Sequence, residues 1–215
     1  MRPLFRKEWR LAIHPTNLIF LSFSALLLIP NYPYYVTFFY TGLGLFFLCL
    51  NGRENHDIEF SLMLPVPKRA IVEARVLFAV CIELMQLLLA VPFALLRQRM
   101  LPAENSVGMD ANIALFGLSL LQMGIFNAVF FTRYFRAPAK IGKAFVWASS
   151  AVFAYIIVVE SLTFVLPLFR DQLDTPDPQY ATAKLITLGI GLLLFALLNW
   201  FTVRTATKRF EALDF

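Results

Sequence analysis

A chain of 215 residues that is 59% hydrophobic and only 15% charged, with a mean hydropathy of +0.68, departs from the soluble norm of about 45–50% apolar and about 25% charged. The excess lies in long runs, which excludes an ordinary soluble domain and points to one compact, all-α membrane domain over residues 1–215. A net charge of +5 does not mark a nucleic-acid partner, because the basic residues border apolar segments instead of forming one stripe.

Residues 1–16 put Leu4, Phe5, Trp9, Ala12 and Ile13 on one side of a helix and Arg6, Lys7, Arg10 and His14 on the other, with Glu8 out of pattern. Two readings follow. One is an interfacial helix, represented by Phe5, Arg6, Trp9 and Arg10, whose basic face meets lipid phosphates. The other is a plain basic flank that orients the first span. This start also mimics a signal peptide, but only "IPNYPYY" follows where a small-x-small cleavage site would stand, so the reading is a retained first helix.

A spanning helix needs about 20 mostly apolar residues, and six candidates follow: about 17–35, 36–51, 73–96, 111–132, 144–168 and 185–203. The first two are short and share the turn "PNYPYY", whose tyrosines suit an interfacial aromatic belt. Lys and Arg are uneven across the connections. Fifteen lie in residues 1–16, 52–75, 133–143 and the tail, against four in the alternate loops (Arg97, Arg99, Arg170 and Lys184). The positive-inside rule then places both termini in the cytoplasm of a multi-pass plasma-membrane protein. The outer loops, 98–110 and 169–184, leave no room for a folded domain, and prolines at Pro92 and Pro167 read as near helix ends.

Enzyme chemistry finds no foothold. Gly142-Lys143 lacks the remaining residues of a phosphate loop, no Gly-x-Ser-x-Gly elbow exists, and His14 and His56 have no ligand partners at metal-binding spacing. Cys49 and Cys81 lie in apolar runs and read as packing residues. Glu83 and Glu160, by contrast, fall inside candidate spans, where a carboxyl costs roughly 2.5–3.5 kcal/mol on insertion scales. Gln86 shares a helical face with Glu83, and Gln122 and Asn127 add polar groups to the fourth span. They read either as a polar substrate path or subunit contact, or as hydrogen-bonded groups that hold helices together.

The segment "HDIEFSLMLPVPKRAIVEARV" (56–76) resembles the signature of the ABC-2 class of ABC transporter permeases, carried by Leu64, Pro65, Val66, Lys68, Arg69, Ile71, Val72, Ala74 and Arg75. "IELMQLL" (82–88) and "KRFEALDF" (208–215) are also similar, and the resemblance covers the whole chain. Pro67 departs from it, standing where the family commonly has Ser and removing a potential helix N-cap.

The resemblance implies a permease subunit that pairs with a second permease subunit, identical or related, and with a separate cytoplasmic ATPase. ATP and Mg2+ would be bound by that ATPase, with no cofactor on this chain. The docking surface would comprise Glu54, Asp57, Glu59, Phe60, Leu62, Met63, Pro65, Lys68 and Arg69, with Arg136 and Lys140 in the next inner loop. Residues 68–75 would anchor the third span at the phosphates. Periodicity alone gives 58–64 a strand-like alternation; the family implies a coupling helix. The short outer loops suit an amphipathic peptide, a lipid or a hydrophobic drug as exported substrate. The rival readings are an ATP-independent transporter, which would want inverted repeats, and a membrane scaffold or immunity subunit.

Overall fold

The computed structural model describes residues 2–9, 15–100 and 105–213. Its α-helices are α1 (Arg2–Lys7), α2 (Pro15–Ser22), α3 (Tyr34–Glu54), α4 (Asp57–Leu62), α5 (Lys68–Met100), α6 (Ile113–Tyr134), α7 (Ile141–Val165) and α8 (Ala181–Glu211), with no strand among the described residues. The helices α3, α5, α6, α7 and α8 are long and apolar enough to cross a membrane. The chain is a helical, multi-pass membrane protein.

Apolar content explains the helices; local chemistry explains their ends. The carboxamide of Asn112 caps α6 by accepting from Leu115 N–H at 3.1 Å. Pro67, which precedes α5, has no side-chain acceptor with which to cap it, and its carbonyl accepts from Ala70 N–H at 2.9 Å. Between α3 and α4 only two residues intervene. His56 turns the chain there with a left-handed backbone (φ 52°), a region His tolerates better than most side chains.

Three expectations are corrected. The first candidate span is not one helix over 17–35: α2 passes into a tighter 3-10 segment, Phe23–Leu28, and α3 starts at Tyr34. Tyr34 and Tyr35 do not sit at an aromatic belt. Both are fully buried; Arg97 Nε donates to the Tyr34 hydroxyl at 2.7 Å, and Tyr35 meets Met109 Sδ at 3.4 Å. Pro92 lies inside α5, which continues to Met100.

The parallel pair α6 and α8 packs most closely. A Cβ at Gly191 would strike the Gly117 carbonyl, and one at Gly117 would meet the backbone of Thr187 and Leu188 at 2.7 Å. Small residues of this kind let membrane helices approach backbone to backbone. Phenylalanines join α3 to α7, with Phe46 stacked on Phe145 at 4.4 Å and Phe39 at 4.8 Å from Phe153.

Polar contacts gather the connections into two ends. At one end Lys7 meets Asp57, Arg53 reaches the Ala139 carbonyl, Lys68 the Leu213 carbonyl and Arg209 the Thr132 carbonyl. At the other, Asn31 accepts from Ser106, Asp110 N–H donates to Asp174, and buried Lys184 donates to Asp177. The segments rich in Lys and Arg thus meet at a single basic end.

Candidate functional site

The residues expected to dock a partner occupy the basic end, in two layers. Phe60 and Met63 are 53% and 82% exposed, and Glu54, Glu59, Pro65, Arg69, Arg136 and Lys140 are exposed beside them. Apolar side chains held in water this way mark an interaction surface when polar groups frame them. Residues 57–62 form a helix, not the strand that alternation alone would give. Period-2 spacing over so short a stretch is weaker than the packing that turns Ile58 and Leu62 toward the core.

Beneath this face lies a buried charge cluster. Arg75 pairs with Asp57 through Nη2 and with Glu8, whose Oε1 accepts from Nη2 at 3.2 Å. Arg75 Nε also lies 2.8 Å from Glu8 Oε2, a Coulombic contact without hydrogen-bond geometry. Lys7 donates to Asp57 at 2.7 Å and to Ser61 Oγ at 2.9 Å. Two cations and two carboxylates alternate, so the cluster is neutral and each charge has an opposite neighbour. Burial disfavours the charged form of Asp57, but Arg75 and Lys7 outweigh it and hold the carboxyl below the usual carboxylate range.

This cluster corrects several sequence expectations. Asp57 and Lys68, expected on the docking surface, are half-buried and engaged within the chain: Asp57 belongs to the cluster and Lys68 holds the Leu213 carbonyl at 2.6 Å. Leu62 packs on the core. Arg75 turns inward, 4% exposed, and does not anchor the span at phosphates. The α1 helix is likewise docked on protein. Leu4 packs with Ala70 and Ala74, Phe5 lies 6.2 Å from Trp9, and Trp9 lies 5.5 Å from Phe78. Arg6 remains exposed; Arg10 lies outside the described residues. Glu8, which looked like a flaw in an amphipathic pattern, adds an ionic contact to α5 just beyond the end of α1.

The intramembrane polar groups separate into two places. In the centre of the bundle Asn127 Nδ2 donates to Glu83 Oε2 at 2.8 Å and to Asn199 Oδ1 at 3.0 Å, linking α5, α6 and α8. Gln122 donates to the Tyr35 carbonyl at 3.0 Å and shares with Glu83 a cavity of about 10 Å³, which is room for about one water. The Gln86 side chain is buried one turn along and has no hydrogen-bond partner among the described residues. Glu160 is elsewhere: it accepts from Met109 N–H at 3.0 Å at the opposite end, so it is not part of the same constellation. Asn199 is the member that sequence reading passed over, although a lone amide in the apolar run "FALLNWF" carried the same signal as Asn127.

Comparison with family models, curated proteins and solved structures gives no match. The geometry therefore stands alone: an exposed hydrophobic face on a short helix, fastened by buried charges to α5, whose further length carries Glu83. No group of three or more His, Cys, Asp or Glu among the described residues is arranged to hold a metal ion.

Proposed function

We propose that the chain is the transmembrane subunit of an ATP-driven exporter, with both termini in the cytoplasm and six membrane crossings. The sixth is the α2/3-10 segment. At about 1.5 and 2.0 Å rise per residue its two parts extend roughly 24 Å, and its flanks meet opposite ends of the bundle. The excess of Lys and Arg at the basic end supports the orientation.

One observation carries the reading. A helix of only six residues displays Phe60 and Met63 at the basic end, yet a buried ion pair couples it to a 33-residue helix that passes through the bundle. Such an arrangement passes a push at α4 into the spans. The pushing partner would be a separate ATPase that binds ATP and Mg2+, and a second permease subunit would complete the pathway.

Co-purification from native membranes tests this directly. A stoichiometric ATPase should accompany the chain, and Phe60→Asp should leave the protein folded while uncoupling ATP hydrolysis from export. Normal export by that variant overturns the docking role. The packed centre around Glu83 favours one rival, a scaffold or immunity subunit with no substrate path. In that case the purified complex would show no substrate-stimulated ATPase activity.

A further inference from the structure

Two grooves flank α5 on either side of the Glu83–Asn127–Asn199 chain. Toward the opposite end lies an apolar groove of about 280 Å³, chiefly between α5 and α6, lined by Leu88 and Leu95 of α5, Phe116 and Leu120 of α6 and Leu188 of α8. Toward the basic end lies a larger one of about 630 Å³, within the roughly 300–1,000 Å³ of ligand clefts. Val76 and Val80 form one wall of this larger groove, Trp200 and Val203 the other, and Asn199 lies among its lining residues. Since Asn199 accepts from Asn127, the groove is continuous with the polar chain that ends at Glu83.

The mouth has a definite charge pattern. Arg69 donates to Glu73 at 2.6 Å and feels Glu211 as well. Arg204 and Lys208 bring the cations of the lining to three against these two carboxylates, a net charge of +1. Arg204 and Lys208 stand one turn apart on α8, both exposed, with the Arg204 guanidinium 4.2 Å above the Trp200 ring. An apolar slot between spanning helices that ends in two neighbouring cations fits an amphiphile with an anionic head.

We propose that this groove binds one anionic phospholipid, its phosphate between Arg204 and Lys208 and an acyl chain along Val76, Val80 and Val203. The site rests on the membrane placement of the helices and not on ATP coupling, so lipid binding and ATPase partnership fail independently.

Trp200 is a built-in reporter. With Trp9→Phe and Trp147→Phe in the full chain, reconstituted in nanodiscs, its fluorescence is quenched by brominated phosphatidylglycerol or brominated phosphatidylcholine at equal mole fraction. The anionic phosphatidylglycerol should quench more strongly. Arg204→Gln with Lys208→Gln should erase that preference, at about fivefold in affinity per lost cation. Equal quenching by the two lipids, no quenching by either because a second copy covers the groove, or a preference that survives the double substitution each overturns the proposal. Val80→Phe, which fills the slot and keeps both cations, provides a second check. It should shield Trp200 from phosphatidylglycerol, and unchanged quenching overturns the seat assigned to the chain.

Discussion

Asp57 on α4 and Arg75 on α5 form a direct ion pair, so the helix that displays Phe60 and Met63 is fastened to the base of a spanning helix and does not hang from a loop. Glu8 and Lys7 extend the same cluster to α1. The N-terminal segment is thereby tied to α4 and α5, some fifty positions on and more.

Removing Arg75 should be far more damaging than removing one carboxylate. Arg75→Met leaves Glu8 and the partly buried Asp57 to share Lys7 alone, one negative charge in excess, and breaking a buried pair typically costs about 3–5 kcal/mol. Thermal unfolding in detergent should show the loss. Combining Arg75→Met with Glu8→Gln should restore most of it, because Lys7 and Asp57 then remain as a matched pair. No recovery in the double variant would mean that shape, not charge balance, holds the cluster.

Acid should release the same tie. The Asp57 carboxyl is lowered in the folded state, so its contribution is fully present above the ordinary carboxylate value of about 3.9. It is lost as pH falls below that value and through the lowered folded one. Limited proteolysis across pH should find the N-terminal segment protected at neutral pH and loosened only in strong acid. In Asp57→Asn that acid step should shrink.

The α6–α8 contact makes a paired test with glycines two residues apart. Gly191→Ala drives a methyl group into the Gly117 carbonyl, and overpacking of this kind costs about 1–3 kcal/mol. At Gly189 nothing lies within 4 Å of an added Cβ, so Gly189→Ala should be neutral or slightly stabilising. Equal melting temperatures for the two variants would contradict the close approach.

Glu83→Gln keeps an acceptor for Asn127, so its fold cost should stay below about 1 kcal/mol, in line with measured interhelical hydrogen bonds in membranes. On the exporter reading transport should still change, because a carboxylic acid at the centre of α5 has been lost. An unaltered transport rate together with weakened subunit association would assign Glu83 to helix packing.

The long helices α5–α8 were legible in the sequence because hydropathy reports residence in the membrane core directly. Their limits were not. Arg69, Glu73, Arg204 and Lys208 extend α5 and α8 beyond the apolar runs, and hydropathy is blind to helix that continues into water. The same split governs the sites. Glu83 and Asn127 announced themselves as polar groups in apolar surroundings, whereas the Glu8–Arg75 pair spans 67 positions and leaves no local pattern. Its one trace was Glu8, an acid on a face that otherwise reads as apolar.

Close backbone packing also decides where this molecule can yield. The Gly117–Gly191 approach binds α6 and α8 into a single block, since parting them would strip backbone from backbone. Grooves flank α5 on either side of Asn199, against α8 toward the basic end and chiefly against α6 toward the opposite one. α5, with α1 and α4 clamped to its base, is therefore shaped as a lever, and the Glu83–Asn127–Asn199 chain is its fulcrum.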